Sequence, residues 1–470
     1  MKLNYLRTLR LFFNEQSSTI RAHWVSFGLI LLGFIHALFL FYPGSLSVDS
    51  YDQLNQAVTN SYNDWHPPVM AWVWRQLLWI KAGPQPMLLL HLGMFWGGLY
   101  LVWYSLVKQK CWTYSLVPLI GFMPPVIAMV GVIWKDIGLG AAVLLINGIL
   151  LNKCSSKLRQ GIFLVALLVY ATWVRHNSIG LTFFFILSLP FYFSWGESLN
   201  PRQLWCLRVL TGMGLVAFIL FSRWVFEEAF LSVQRSHVGI YNLLLDLANI
   251  ENEAKADLIP NAFKTQNYTK EKVLQYLYDR DPSQLIFIVD SPFQVSFNDS
   301  ENRKLKIVWA QSVMKYFSVY LKYRWLQYKS LIRVGFSQCR ANHYLMPEEF
   351  GGGISWMKSW REFLETKTTD WAESTPLFSG WFYLVLAGLG LLLSVVMKSE
   401  YQLLARLCFL STLFYSATYF VGSVSCDFRY VWPTTLTSTL GMILLVSRPP
   451  RSDKAGLKHA SLSSEPTAEP

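Results

Sequence analysis

Acidic and amide side chains are concentrated in one stretch, residues 44–68, which reads GSLSVDSYDQLNQAVTNSYNDWHPP. Its candidate functional residues are Asp49, Asp52, Gln53, Gln56 and His66, of which the two glutamines and the histidine are predicted to bind substrate. The first four recur at i,i+3 and i,i+4 spacing, so a short helix would place them on one face. A carboxylate there could accept a proton from an attacking hydroxyl group, which is general-base catalysis. The stretch therefore predicts a catalytic surface, with Asp49 as the first candidate base and Asp52 as the second.

The same residues also have plainer interpretations. Asp49 could cap a helix beside Ser47 or Ser50. His66 precedes a proline and could only order the loop, although its titration near neutral pH would suit proton transfer. Carboxylates and a histidine could hold a divalent cation, but their spacing matches no known ligand motif, so we predict no metal site and no certain cofactor.

Three short polar connections between apolar runs supply further candidates. We predict that they bind substrate beside the acidic stretch, and their residues are Lys135, Asp136, Arg175, His176, Asn177, Asp427, Arg429 and Tyr430. Arginine can neutralise a phosphate through a fork of donors, and lysine can do so as a point charge. The alternative is that these cations are only snorkelling side chains at a membrane interface.

The composition determines the class of protein that carries these residues. The chain has 470 residues, of which 53% are hydrophobic and only 15% are charged. Apolar runs of about 20 residues are long enough to cross a bilayer as helices. The predicted spans are 24–42, 87–107, 114–134, 137–152, 160–174, 178–195, 206–226, 378–397, 402–422 and 429–447. The predicted fold is therefore an all-α, polytopic transmembrane bundle of about ten spans.

The distribution of charge predicts the orientation. Lysine and arginine are concentrated in the loops that lie on the same side as the N-terminus, so the positive-inside rule makes both termini cytoplasmic. The stretch 227–375 contains equal numbers of basic and acidic residues. The net charge of +12 therefore comes from the membrane part, and it does not indicate nucleic-acid binding.

The predicted domain organisation follows from these spans. It comprises a cytoplasmic segment 1–23, a transmembrane region 24–226 whose first outer loop and interfacial helices cover 43–86, a mainly helical extracytoplasmic domain 227–375 between spans seven and eight, a second transmembrane region 376–447, and a disordered cytoplasmic tail 448–470. Cys339 and Cys426 fall on the same predicted side, so a disulfide between them is an open alternative.

Acidic residues in a first outer loop, a short amphipathic helix beside it, many spans and an outer soluble domain together resemble the GT-C class of polytopic glycosyltransferases. That class includes the protein mannosyltransferases and the aminoarabinose transferases of the bacterial envelope. The resemblance implies that an aspartate of the first outer loop is catalytic, which here is Asp49 or Asp52. The chain departs from the pattern because its soluble domain lies between spans rather than at the C-terminus.

The first functional hypothesis is thus a multi-pass glycosyltransferase of the bacterial inner membrane. It would move a sugar from a polyprenyl-phosphate donor to a glycan, lipid or protein acceptor of the cell envelope, with membrane lipids as its other partners and no nucleic acid. The alternative is a transporter or flippase of a lipid-linked or small substrate, which would place polar groups near the bilayer midplane. A third hypothesis is a non-catalytic envelope assembly protein.

Overall fold

The computed structural model describes residues 2–152, 156–192, 200–279, 282, 285, 288–296, 298–335, 341–423 and 425–449. Helix accounts for 74% of the structure, and the described residues form no β-strand. The all-helical prediction is therefore confirmed. Cys154, Cys339 and the predicted tail from residue 450 onward lie outside the described residues. Cys426 is disulfide-bonded, and its pairing with Cys339 stays a prediction.

The first half of the chain forms the helices α1 Lys2–Phe41, α2 Val48–Thr59, α3 Val69–Leu77, α4 Gln85–Lys108, α5 Val117–Gly121, α6 Pro124–Ile127, α7 Lys135–Leu151, α8 Lys157–Trp173, α9 Ile179–Tyr192 and α10 Pro201–Val225. The second half forms α11 Gly239–Ala254, α12 Lys270–Leu274, α13 Asp299–Lys315, α14 Phe317–Leu331, α15 Lys358–Ser374, α16 Gly380–Val396, α17 Gln402–Gly422 and α18 Trp432–Val446. Short 3₁₀ and π turns connect several of them, and Phe428–Tyr430 is the one that bears on the site.

In the described part of the chain, four helical segments are long and apolar enough to cross a membrane: Arg21–Phe41, Gln85–Lys108, Pro201–Phe230 and Gln402–Gly422. Shorter apolar helices are Ile179–Tyr192, Gly380–Val396 and Trp432–Val446. The prediction of membrane-length helices is thus confirmed, whereas ten spans and the cytoplasmic placement of the termini stay predictions.

The predicted span 114–134 is wrong as a single helix. It consists of the 3₁₀ turn Trp112–Leu116, the short helices α5 and α6, and turns. Prolines at positions 118, 124 and 125 lack the N–H group that a continuous helix needs, which explains the breaks. The segment still runs along α1, because Tyr114 packs on His23 and Gly131 abuts Phe41. Those two points of α1 are about 27 Å apart at about 1.5 Å per residue.

Among the described residues, the stretch 227–375 contributes to three hydrophobic cores, one of which packs Leu231 and Val233 against Tyr62 and Ala71. Residues of α11, α13 and α14 enclose a core of their own that includes Leu244, Phe263 and Leu305. Beyond residue 340 the chain instead joins the main core of the bundle, where Tyr344 stacks on Phe41 with ring centroids 5.5 Å apart. The stretch 227–375, called the insertion below, is therefore attached to the bundle beside the end of α1, which is where the candidate site lies.

Close packing of α4 against α7 depends on glycine. A Cβ atom at Gly98 would lie 2.8 Å from the backbone nitrogen of Leu145, and a Cβ atom at Gly148 would lie 2.9 Å from the carbonyl oxygen of Gly98. Backbone atoms cannot rotate aside as side chains can, so any larger residue must separate the two helices. The separation would disturb α7, whose first turn carries Lys135 and Asp136.

We expect Gly98→Ala to destabilise the protein by about 1–3 kcal/mol, because it overpacks this helix contact. The measurement is the thermal unfolding temperature of the purified protein in detergent. Gly97→Ala is the matched control, since no atom lies within 4 Å of a Cβ placed there. Equal unfolding temperatures for the two variants would contradict the proposed role of the close approach.

Candidate functional site

The first turn of α2 is positioned by hydrogen bonds to the segment that precedes α7. Ser50 Oγ accepts from the backbone N–H of Ser47 at 3.2 Å and donates to the carbonyl of Ile133 at 2.8 Å. Trp134 Nε1 donates to Ser47 Oγ at 2.7 Å. Serine side chains therefore fix this helix start, and the carboxylate of Asp49 is not used as its cap. The short helix predicted to carry Asp49, Asp52, Gln53 and Gln56 is confirmed, and it covers Val48–Thr59.

Asp49 is paired with an arginine from the distant end of the chain. Arg429 Nη1 lies 2.8 Å from Asp49 Oδ2, and Arg429 Nε lies 3.3 Å from Asp427 Oδ2. The guanidinium also lies 4.7 Å from the centre of the Trp134 ring, a cation–π distance. Burial acts to raise the pKa of Asp49, but the Arg429 charge and the neighbouring His66 hold it well below its usual value. Asp49 is therefore ionised at neutral pH.

His66 lies between Asp49 and Lys135. Its Nε2 atom is 3.7 Å from Asp49 Oδ1, and its Nδ1 atom contacts Lys135 Nζ. Burial and the Lys135 charge lower the pKa of His66 to about 4, although Asp49 acts in the opposite direction. The imidazole is therefore neutral at neutral pH. The Nε2 atom faces the ionised carboxylate of Asp49, which only accepts hydrogen bonds, so the tautomer protonated at Nε2 suits this arrangement.

A second ion pair lies beside the first. Arg175, from the connection between α8 and α9, pairs with the fully buried carboxylate of Asp136. Its guanidinium lies 4.5 Å from the Tyr430 ring centre, and Arg429 lies 5.0 Å from the same ring. Tyr430 therefore touches both guanidinium groups. The predicted residues Lys135, Asp136, Arg175, Asp427, Arg429 and Tyr430 are thus brought together with Asp49 and His66.

Two other predicted residues contact neighbouring parts of the same end of the bundle. Asn177 accepts a hydrogen bond from Arg175 Nε at 3.1 Å and donates one to Thr418 Oγ1 at 3.0 Å. His176 is exposed, and its Nδ1 atom lies 3.4 Å from Arg223 Nη2. Asn177 therefore supports Arg175, whereas His176 lies at the edge of the cluster.

Gln53 and Gln56 lie under α2 rather than at its open surface. Both are buried, and Gln53 Nε2 donates to the backbone carbonyl of Asp49 in its own helix at 3.4 Å. Gln56 donates to Asp52 Oδ2 at 2.7 Å and accepts from the backbone N–H of Asn63 at 3.1 Å. Gln56 therefore holds Asp52 and the following loop in place, and substrate contact by either glutamine stays a prediction.

An open cavity of about 450 Å³ lies beside these groups. Its lining consists of Val48, Asp49, Asp52, Asn63, Trp65, His66, Ser236 and Tyr241. The volume is within the range of small-molecule sites. Asp49, Asp52 and His66 were expected from the sequence. Asn63 and Trp65 lie in the same polar stretch and could have been included, but nothing in the sequence connects Ser236 or Tyr241 to it.

Nothing in the sequence indicates that His343 lies beside the candidate site. Its ring lies 5.1 Å from that of Trp134, on which Arg429 also packs, and its Nε2 atom is 2.9 Å from the carbonyl oxygen of Leu46. His343 therefore braces the turn between α1 and α2. Within the described residues, no group of three His, Cys, Asp or Glu side chains is arranged to hold a metal ion. The alternative of a cation held by Asp49, Asp52 and His66 thus has no support in the geometry.

No protein-family model, curated protein or solved structure matches this chain.

The lowered pKa of His66 predicts a loss of stability in acid. A group whose pKa falls from 6.5 in the unfolded chain to about 4 in the folded one binds its proton less readily when folded. The free energy of unfolding is therefore unaffected by this group above pH 6.5. As the pH falls from 6.5 towards 4, the unfolded chain binds the proton first and the free energy of unfolding decreases by up to about 3 kcal/mol. We expect the unfolding temperature to fall over this window, and to fall less in His66→Gln, which cannot titrate. Parallel curves would contradict the burial of a neutral His66.

Proposed function

We propose that this protein is a membrane glycosyltransferase that moves a sugar from a polyprenyl-phosphate donor to a hydroxyl group of an acceptor. The observation that carries the proposal is the position of Asp49, whose carboxylate lines an open cavity while its side chain also contacts a half-buried arginine and a neutral histidine. The membrane-length helices suit a donor with a long apolar tail. The resemblance of the first loop to GT-C enzymes agrees with this chemistry.

In the proposed reaction the acceptor oxygen attacks C1 of the donor sugar. The new bond forms between that oxygen and C1, and the acceptor proton passes to Asp49. The bond between C1 and the phosphate oxygen breaks, and its electron pair leaves with the phosphate. Positive groups fixed near the leaving oxygen would stabilise the charge that develops there.

Arg175 and Arg429 are the proposed phosphate ligands. Their side chains keep 12% and 13% of their surface exposed, and both contact Tyr430. Two guanidinium groups held on one aromatic ring form a rigid pair of donor forks, which suits phosphate oxygens. Lys135 contacts His66 rather than a carboxylate, so its proposed role is to position that ring.

The ion pair between Asp49 and Arg429 couples the two halves of this reaction. A carboxylate held by arginine is a weak base, because the positive charge favours its ionised form. A donor phosphate that binds Arg429 would compensate this charge and raise the pKa of Asp49. Asp49 would then become a better base only when the donor is in place, which limits proton abstraction to the loaded enzyme.

Transport remains the alternative, but the ion-paired cluster Asp49, His66, Lys135 and Arg429 lies where several helices begin or end. A transporter would be expected to concentrate such groups near the middle of its spans.

We expect Asp49→Asn to lower sugar transfer by a factor of about 10²–10⁴, because an amide cannot accept the proton. Donor binding should be retained. The assay is transfer of radiolabelled sugar from polyprenyl-phosphate donors in proteoliposomes, with donor binding followed by native mass spectrometry. Asp257→Asn is the control and should leave transfer unchanged, since Asp257 is an exposed carboxylate that pairs with Lys264 at 2.6 Å and is not part of the cavity lining. Undiminished transfer by Asp49→Asn would remove it as the base.

We expect Arg175→Lys to weaken donor binding by about tenfold, because lysine keeps the charge opposite Asp136 but lacks the planar fork of donors. Arg223→Lys serves as the control: Arg223 lies at the same end of the bundle but is paired with Glu227 at 2.7 Å. The measurement is the dissociation constant of a non-hydrolysable polyprenyl-phosphate analogue. Equal losses in the two variants would argue against a phosphate site at Arg175.

A further inference from the structure

The cavity has two walls that come from distant parts of the chain. One wall is the stretch from Val48 to His66, and the other is the segment that leads from Ser236 into α11. Backbone hydrogen bonds join them, from Gln234 N–H to the carbonyl of Tyr62 at 2.9 Å and from Asp64 N–H to the carbonyl of Gln234 at 3.1 Å. The width of the cavity is therefore fixed by backbone pairing.

Ion pairs reinforce this junction. The carboxylate of Asp64 accepts the backbone N–H of Ser236 and lies 3.3 Å from Arg235 Nη1. Arg235 also lies 3.3 Å from Glu227 and contacts Glu228. The second wall is thus held by charge as well as by backbone bonds, and Ser236 stays at the cavity surface.

Two aromatic side chains form a corner of the cavity. The rings of Trp65 and Tyr241, one from each wall, are 6.0 Å apart at an angle of 73°. Both side chains are half-buried, so each presents part of its surface to the cavity. Aromatic rings combine apolar faces with a polar edge, and they bind ligands that have apolar and polar surfaces side by side.

Polar side chains of two kinds share the cavity with this corner. Asp52 accepts from Gln56 through Oδ2, which leaves Oδ1 as a further acceptor. Asn63 accepts the backbone N–H of Trp65 at 3.0 Å through Oδ1, and its Nδ2 group is a donor without an assigned partner in the described chain. A carboxylate oxygen and an amide donor can together bind neighbouring hydroxyl groups.

The charge of the lining selects among acceptor classes. The lining residues include two carboxylates, Asp49 and Asp52, and none of them is a lysine or arginine. Arg429 is in contact with Asp49 but is not part of the lining. Because Arg429 compensates the charge of Asp49, Asp52 is the lining carboxylate that would repel a phosphorylated or uronic acid group, and the cavity favours a neutral ligand. An apolar corner next to acceptors and a donor fits a neutral polyhydroxyl molecule, since C–H faces pack on rings while hydroxyl groups bond to the polar side chains.

From this arrangement we infer that the acceptor is a neutral saccharide, bound between the aromatic corner of Trp65 and Tyr241 and the polar side chains of Asp52 and Asn63. The inference rests on the proposed function, because it makes this saccharide the molecule whose hydroxyl group loses its proton to Asp49. It adds the class of acceptor and a site for it. The resemblance to a glycosyltransferase class leaves the acceptor open among glycan, lipid and protein.

The test uses the full-length protein in lipid nanodiscs, titrated with the neutral oligosaccharides maltotriose, chitotriose and mannotriose and with an oligogalacturonate as an anionic probe. Binding is followed by saturation-transfer NMR and calorimetry. We expect at least one neutral trisaccharide to bind and the anionic one to bind at least tenfold more weakly. Trp65→Ala should weaken trisaccharide binding at least tenfold, and Trp65→Phe should weaken it less.

Two controls keep the result specific. Trp79→Ala removes a highly exposed tryptophan that is not part of the cavity, so it should leave trisaccharide binding unchanged. Affinity for the polyprenyl-phosphate analogue should be the same in Trp65→Ala as in the unchanged protein, which also shows that the variant is folded. Tyr241→Ala should repeat the effect of Trp65→Ala from the opposite wall.

The outcomes separate the two proposals. If sugar is transferred to a lipid or peptide acceptor and Trp65→Ala leaves that reaction unchanged, the saccharide inference is overturned while the transferase proposal stands. If a trisaccharide binds at Trp65 but no lipid-phosphate donor binds or turns over, the transferase proposal fails and the subsite stands. Failure of all neutral trisaccharides to bind, or binding that ignores both aromatic substitutions, overturns the inference.

Discussion

The ion pair between Asp49 and Arg429 is the interaction on which the candidate site depends. A charge at the end of an apolar bundle loses much of its hydration, and an unpaired one would cost several kcal/mol. Asp49 follows α1 directly, whereas Arg429 lies just before α18, so their pairing joins the two ends of the membrane part. Removing either partner would leave the other poorly hydrated. The ion pair therefore holds these two segments together and also keeps the proposed base ionised.

The neighbouring groups follow the same rule of paired charges. Arg175 compensates the fully buried Asp136, and Tyr430 packs against both arginines. His66 has no need of a counter-charge because burial keeps it neutral, and it lies between Asp49 and Lys135. The result is a set of oriented groups around one carboxylate that faces open space. Such preorganisation is what a transfer reaction requires, because the enzyme does not have to rearrange during the chemical step.

The insertion contributes to the site as well as to the surface. One part pairs with the first loop through Gln234 and supplies Tyr241 to the cavity. A later part returns to the end of α1, where His343 and Tyr344 pack on Trp134 and Phe41. A buried pair of Arg324 and Asp246, with nitrogen and oxygen 2.6 Å apart, adds a third attachment, because Arg324 also donates to the carbonyl of Ser423 at 3.1 Å. These attachments make the cavity a joint product of bundle and insertion.

The sequence by itself determined the class of fold and most of the charged cluster. Long apolar runs have to form helices in a membrane, because every backbone polar group needs a partner there, and charged residues then collect at helix ends. For this reason Asp49 and His66 could be grouped with Lys135, Arg175 and Arg429 from the sequence. At 114–134, however, hydropathy predicts one span, whereas the prolines interrupt the helix.

Only the tertiary structure decided which polar residues face the cavity and what stands opposite them. Gln53 and Gln56 have the same helical spacing as the aspartates, but the packing of α2 on the bundle buries both. Tyr241 reaches the site through a backbone pairing between segments about 170 residues apart, and His343 does so through its contact with Trp134. Periodicity reports the faces of one helix at a time, whereas contacts between distant segments depend on how the whole chain packs.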